Sequence, residues 1–129
     1  LFVAKFLGTP PINVFDGTVK GGKLYIGQDA VLDVPGVADQ EVHVGIRPEG
    51  FEIDPNGRLH CKLNNVEVMG RDVSVVCTNE ASQNPVVRAI VNADNKIDVT
   101  NATITYSLKP HKVFIFDKET EERIRFEVN

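Results

Sequence analysis

From Val14 onward, apolar residues come in short runs separated by glycine, proline, asparagine and aspartate. Alternation with a period of two marks a strand with one buried face. Val14–Lys20 and Lys23–Ile26 flank Gly21-Gly22, which predicts a hairpin with glycine supplying positive φ at the turn. Ala30–Val34 is a short strand closed by Pro35-Gly36, and Glu41–Arg47 is another that stops at Pro48. Asp54-Pro55-Asn56-Gly57 is a turn. In the next stretch Leu59, Cys61 and Leu63 share odd parity, while Val66 and Val68 are even. One face holds both sets only if an extra residue intervenes, so a β-bulge is expected at Asn64-Asn65. Gly70 turns the chain into Val73–Cys77, and Asn79–Asn84 reads as a polar loop. Strands follow at Val86–Val91 and Thr103–Leu108, with a turn at Ala93–Lys96 between them. Lys112–Phe116 is apolar on both faces and is expected to be central, and Arg123–Val128 is a last short strand. About ten strands with no internal helix long enough for a βαβ unit predict an all-β barrel or sandwich.

The first residues differ. Phe2, Val3, Phe6 and Leu7 fall at helical spacing, and Gly8 with Pro10-Pro11 ends that pattern. Residues 1–13 therefore read as a helix remnant and linker, and residues 14–129 as the β domain of a longer protein.

One short motif occurs twice. Val44-Gly45-Ile46-Arg47-Pro48-Glu49 and Ser107-Leu108-Lys109-Pro110-His111 each end a strand at a cation followed by proline. Proline donates no hydrogen bond and cannot sit inside a central strand. Two such stops, each before a new apolar segment, predict two related strand-turn units. Arg47 and Lys109 are candidate anion contacts. The structural alternative holds each in extended geometry before its proline, with its charge paired to a neighbour such as Glu49.

Composition narrows the chemistry. Of 129 residues, 42% are hydrophobic and 25% charged, as expected of a globular domain able to bury a core. The net charge of −4 argues against nucleic acid, which needs clustered Lys and Arg. Phe114 and Phe116 read as core rather than as a base-stacking platform. Cys61 and Cys77 lie on the apolar phase of predicted strands and read as buried hydrophobes. No spacing of Cys and His suggests a metal site. Gly17-Thr18-Val19-Lys20-Gly21-Gly22-Lys23 imitates a phosphate-binding loop. Leu24 stands where Ser or Thr must hold magnesium, and a strand follows where a helix is required. His43, His60 and His111 are scattered, and no serine has the glycines of a nucleophile elbow.

Taken in order, several segments resemble one family. Phe2–Asn13 is similar to the junction between nucleotide-binding and C-terminal regulatory domains in ATP-binding subunits of maltose-type sugar importers. Gly45-Ile46-Arg47-Pro48-Glu49 resembles that regulatory domain's hallmark. Val66–Asp72, with Gly70 and Asp72, resembles its Val-Glu-x-Leu-Gly-x-Glu segment, and Leu108-Lys109-Pro110 with Val113–Asp117 resembles its close. His111 departs from the family's second Pro-Glu, and residues 79–98 match nothing in it. The resemblance implies an OB-fold-like barrel of the transport-associated (TOBE) type, built from interlocking halves. It implies structural roles for Gly45, Arg47, Pro48, Glu49, Gly70, Asp72 and Pro110, and no catalytic residue. It also implies a regulatory and dimerisation role in an ABC-type importer, without ATP hydrolysis by this segment. ATP and magnesium would be held by a nucleotide-binding domain outside it. Implied partners are an identical subunit, membrane-spanning transporter subunits and a regulatory protein, at the cytoplasmic face of the membrane. The competing expectation is a small binding module that senses an oxyanion.

Overall fold

The computed structural model describes residues 12–92, 97 and 100–126. Of the expected helix remnant and linker at 1–13, residues 1–11 lie outside the described residues, as does the turn at 93–96, while Asn13 already belongs to the first strand. The last strand is Arg123–Ile124, shorter than the expected Arg123–Val128, whose residues 127–128 are also outside.

Among the described residues, eleven strands form two sheets. β1 (Asn13–Lys20), β2 (Lys23–Ile26) and β3 (Asp29–Asp33) make a meander, and β4 (Gln40–Ile46) returns beside β1. β6 (Leu59–Met69), β7 (Asp72–Thr78) and β8 (Val87–Asn92) repeat the meander, and β9 (Thr103–Leu108) returns beside β6. Between these units lies β5 (Phe51–Ile53); after them come β10 (Val113–Asp117) and β11 (Arg123–Ile124). The outer strands are exchanged: β5 pairs with β9 of the second unit, and β10 with β4 of the first. The orders are β11-β10-β4-β1-β2-β3 and β5-β9-β6-β7-β8. One offset along the chain carries Arg47 onto Lys109, and it carries the pair Ile46–Val113 onto Leu108–Phe51. The sequence echo is thus a structural duplication with two interlocked halves.

Pattern and structure agree closely. Gly21 and Gly22 adopt φ of 60° and 74° in the β1–β2 turn. The β6–β7 register shifts between Leu63 and Asn65, so Val66 and Val68 rejoin the face of Leu59 and Cys61. Residues Gly17-Lys23 form the hairpin, not a phosphate loop. As expected of its doubly apolar sequence, β10 is central, between β4 and β11.

The inward residues of both sheets make one core, including Phe15, Val44, Ile46, Phe51, Leu59, Tyr106 and Ile115. Phe51 meets Tyr106 edge-on at 5.0 Å between centroids. Cys61 and Cys77 are buried and unbridged. The Tyr106 hydroxyl lies 3.5 Å from the Cys77 sulfur. Contact with Cys77 and burial raise the Cys61 thiol far above its ordinary range. Burial does the same to Tyr106, so both stay protonated at neutral pH.

Side chains complete what the ladders leave open. The buried Asn13 amide donates to the carbonyls of Ile46 (3.2 Å) and Arg88 (2.9 Å), while its oxygen accepts from the Arg88 amide (3.0 Å). It imitates a peptide group and ties β1 to β8 across the two sheets. The predicted loop at 79–84 lies along β1: the Asp16 amide donates to the Ala81 carbonyl and the Gln83 amide to the Val14 carbonyl. At the matching place in the second unit, the Asp29 carboxylate accepts from the His60 amide at 3.0 Å.

Candidate functional site

The two cation-proline motifs meet. Pro48–Gly50 and Pro110–Lys112 each form a single 3-10 turn, with Arg47 and Lys109 extended before them. Extended geometry is what a following proline imposes. Each turn closes on itself, Gly50 amide to Arg47 carbonyl (2.8 Å) and Lys112 amide to Lys109 carbonyl (2.9 Å). The turns then bond each other reciprocally: the Arg47 amide donates to the Lys112 carbonyl (3.2 Å), and the Lys109 amide to the Gly50 carbonyl (2.8 Å). This crossing is where the exchanged strands leave their own halves.

Gly50 is essential to the crossing and was not singled out from the sequence. A Cβ there would stand 2.8 Å from Lys112 Cβ and 3.2 Å from Ile46 Cγ2. Gly57 is tighter still, since a Cβ would overlap the Tyr106 backbone. Gly57 ends a visible turn signal, but nothing in the sequence shows that Tyr106 passes beside it.

The side chains of the two motifs diverge. Arg47 lies over the Phe114 ring, 5.8 Å from its centroid, and Arg123 lies over the same ring at 4.7 Å. Glu49 is not Arg47's partner; it pairs with Lys112 at 3.6 Å, because the crossing brings Lys112 over the first turn. Phe114 is therefore not core, as its apolar run suggested. Its neighbours on β10, Val113 and Ile115, face the core, so it points outward beside Gly45. Lys109 instead lines a cleft of about 470 Å³ with Glu49, Phe51, Glu52, Asp72 and Ile90. Arg47 and Lys109 thus form no shared anion site.

The remaining motif residues are dispersed. Gly45 is buried on β4, opposite Val14 and Phe114. Gly70 (φ 73°) turns the β6–β7 hairpin, whose tip exposes Val68 and Met69, and Asp72 opens β7 opposite Met69. Pro110 opens the second turn.

A further cleft, about 610 Å³, lies between the β2–β3 turn and the β7–β8 loop. There His60 Nδ1 sits 3.2 Å from Asp29, beside Lys62 and Glu80. His43 is buried on β4 with Nδ1 unpartnered and Nε2 3.9 Å from Asp16. Among the described residues no three His, Cys, Asp or Glu side chains converge as metal ligands. No helix among them is long and apolar enough to cross a membrane.

Two family descriptions match this chain: the CysA C-terminal regulatory domain over residues 13–53, and the TOBE domain over residues 44–116. Among curated proteins, it is 31% identical to the oligosaccharide import ATP-binding protein MsmX of Bacillus subtilis, over 97% of this chain and 38% of that protein. It is 31% identical to a sn-glycerol-3-phosphate import ATP-binding protein, UgpC of Jannaschia, over 95% of this chain and 34% of the relative. It is 26% identical to the diacetylchitobiose uptake protein MsiK of Streptomyces coelicolor, over 96% and 39%. The chain spans a little over a third of the length of these relatives.

Proposed function

We propose that this chain, which belongs to the TOBE domain family, is the regulatory and dimerisation segment of an importer's ATP-binding subunit, without ATPase activity of its own. The supporting observation is the crossing of the Gly-Ile-Arg-Pro-Glu turn with its second copy, in a chain of which 95–97% is similar to such subunits. The interlock makes the barrel a rigid unit, suited to holding a position rather than doing chemistry. In the parent protein, ATP and magnesium would bind upstream of this segment, at the cytoplasmic face of the membrane. The barrel would keep two subunits together while their nucleotide domains separate, because a second contact turns reassociation into an intramolecular step. Partners would be the identical subunit, the membrane-spanning subunits and a regulatory protein; sugars or other polar solutes would be the cargo.

The oxyanion-sensor reading is weaker, since its two candidate cations diverge. The test compares the parent protein with a version lacking this segment. The truncated protein is expected to retain nucleotide binding and lose regulated, stable dimerisation. ATP hydrolysis by this segment alone would refute the reading.

A further inference from the structure

The duplication is broken in one place. β5 and β10 correspond, but β5 runs directly into the second unit, whereas β10 is followed by the turn 117–122 and β11. The strand that has no counterpart is therefore β11, which makes its sheet six-stranded against five. The residue matching Phe114 in the other half is Glu52, so the ring carrying two guanidiniums also has no counterpart.

Among the described residues, this added hairpin carries charges of both signs that join no ion pair. Arg47, Arg123 and Arg125 make no ion pair among the described residues. The first two lie over the Phe114 ring, which attracts both guanidiniums. Arg123 and Arg125 also line a groove of about 310 Å³ with Ile124 and Phe126. In the turn that leads into Arg123, Glu119, Glu121 and Glu122 make no ion pair among the described residues. The turn is built by Asp117, whose carboxylate accepts from the amides of Glu119 (2.8 Å) and Thr120 (2.9 Å). Glu121 takes φ of 62° there, which is costly for a residue other than glycine. The three glutamates are thus presented by a hydrogen-bonded turn that runs directly into Arg123.

A two-fold contact places the same patch against itself, so one copy's cations meet the other's anions. We infer that the β10–β11 hairpin is a self-complementary docking surface for a second copy of this chain, with Arg47, Arg123 and Arg125 of one copy against Glu119, Glu121 and Glu122 of the other. The inference rests on the proposed dimer and names the face that forms it. Two such sets neutralise each other in a chain whose net charge is −4. Aromatic and arginine groups are also what interface cores favour.

The experiment is sedimentation of the parent protein without nucleotide. Arg123→Glu/Arg125→Glu and Glu119→Lys/Glu122→Lys are each expected to weaken self-association at least about tenfold, and added salt to weaken the native protein. An equimolar mixture of the two variants is expected to restore association, because each then presents the sign the other lacks. Thermal melts confirm that both variants are folded. Native-like association of both variants refutes this face and leaves the dimer reading standing. A parent protein that stays monomeric at all concentrations refutes both. Weakening without rescue in the mixture, with inorganic phosphate bound by the native protein and not by the Arg variant, reassigns the face to a small anion.

Discussion

Replacing Gly50 by alanine tests the crossing directly. Gly50 is outside the positive-φ region, so the added methyl costs nothing in backbone conformation and should gain about 0.4–1 kcal/mol by restricting the unfolded chain. Against this stands the contact at 2.8 Å to Lys112 Cβ, an atom fixed to the other turn's backbone. The Ile46 methyl at 3.2 Å closes the second direction. Relief requires the turns to separate, which strains or breaks the bonds Arg47 to Lys112 (3.2 Å) and Lys109 to Gly50 (2.8 Å). Overpacking costs about 1–3 kcal/mol, and the two crossing bonds add about 1 kcal/mol each when lost. The net expectation is destabilisation of about 2–4 kcal/mol, or a fall in Tm of roughly 6–16 °C for a chain of this size. Urea unfolding followed by circular dichroism measures it. A neutral or stabilised Gly50→Ala would show that the turns yield freely and that the crossing is not a rigid joint.

Asn13→Ala strips the Arg88 amide and carbonyl of their partner inside the barrel and should cost about 2–4 kcal/mol in the same assay. Cys61 and Cys77 should be inert to a thiol reagent in the native protein and both react in denaturant; rapid native labelling would contradict their burial. The hydrogen bond from Gln83 and the Lys118 charge hold the Asp16 carboxyl below its ordinary range, burial opposing them. A depressed carboxyl stabilises the fold above its unfolded pKa and loses that contribution as pH falls through the folded one. Asp16→Asn should therefore flatten the stability profile below about pH 4 and leave the slope near neutrality unchanged; a steeper acid-side loss would reverse the sign.

Hydrophobic alternation and turn chemistry act over a few residues, so the sequence alone determined most of the strands, the Gly21-Gly22 hairpin and the bulge beside Asn64, though not the short β5. A parity change within one strand leaves few other solutions. The repeated cation-proline stop likewise announced a duplication, since proline ends a central strand wherever it falls. Partnership across the chain was not legible in this way. That the two stops hydrogen-bond each other depends on which halves exchange strands, and no local propensity encodes that choice. Phe114 shows the same limit: its run of apolar neighbours is a core signature, yet β11 ends on one side of it and Gly45 lies on the other, leaving a face that two arginines cover. Glycine roles divide along this line too. Gly21, Gly22 and Gly70 are needed for positive φ, which a turn motif reveals, whereas Gly50 and Gly57 are needed because distant backbone passes within contact distance. Local conformational energy was written in the order of residues, and the tertiary structure decided every role that depends on close approach of segments far apart in the chain.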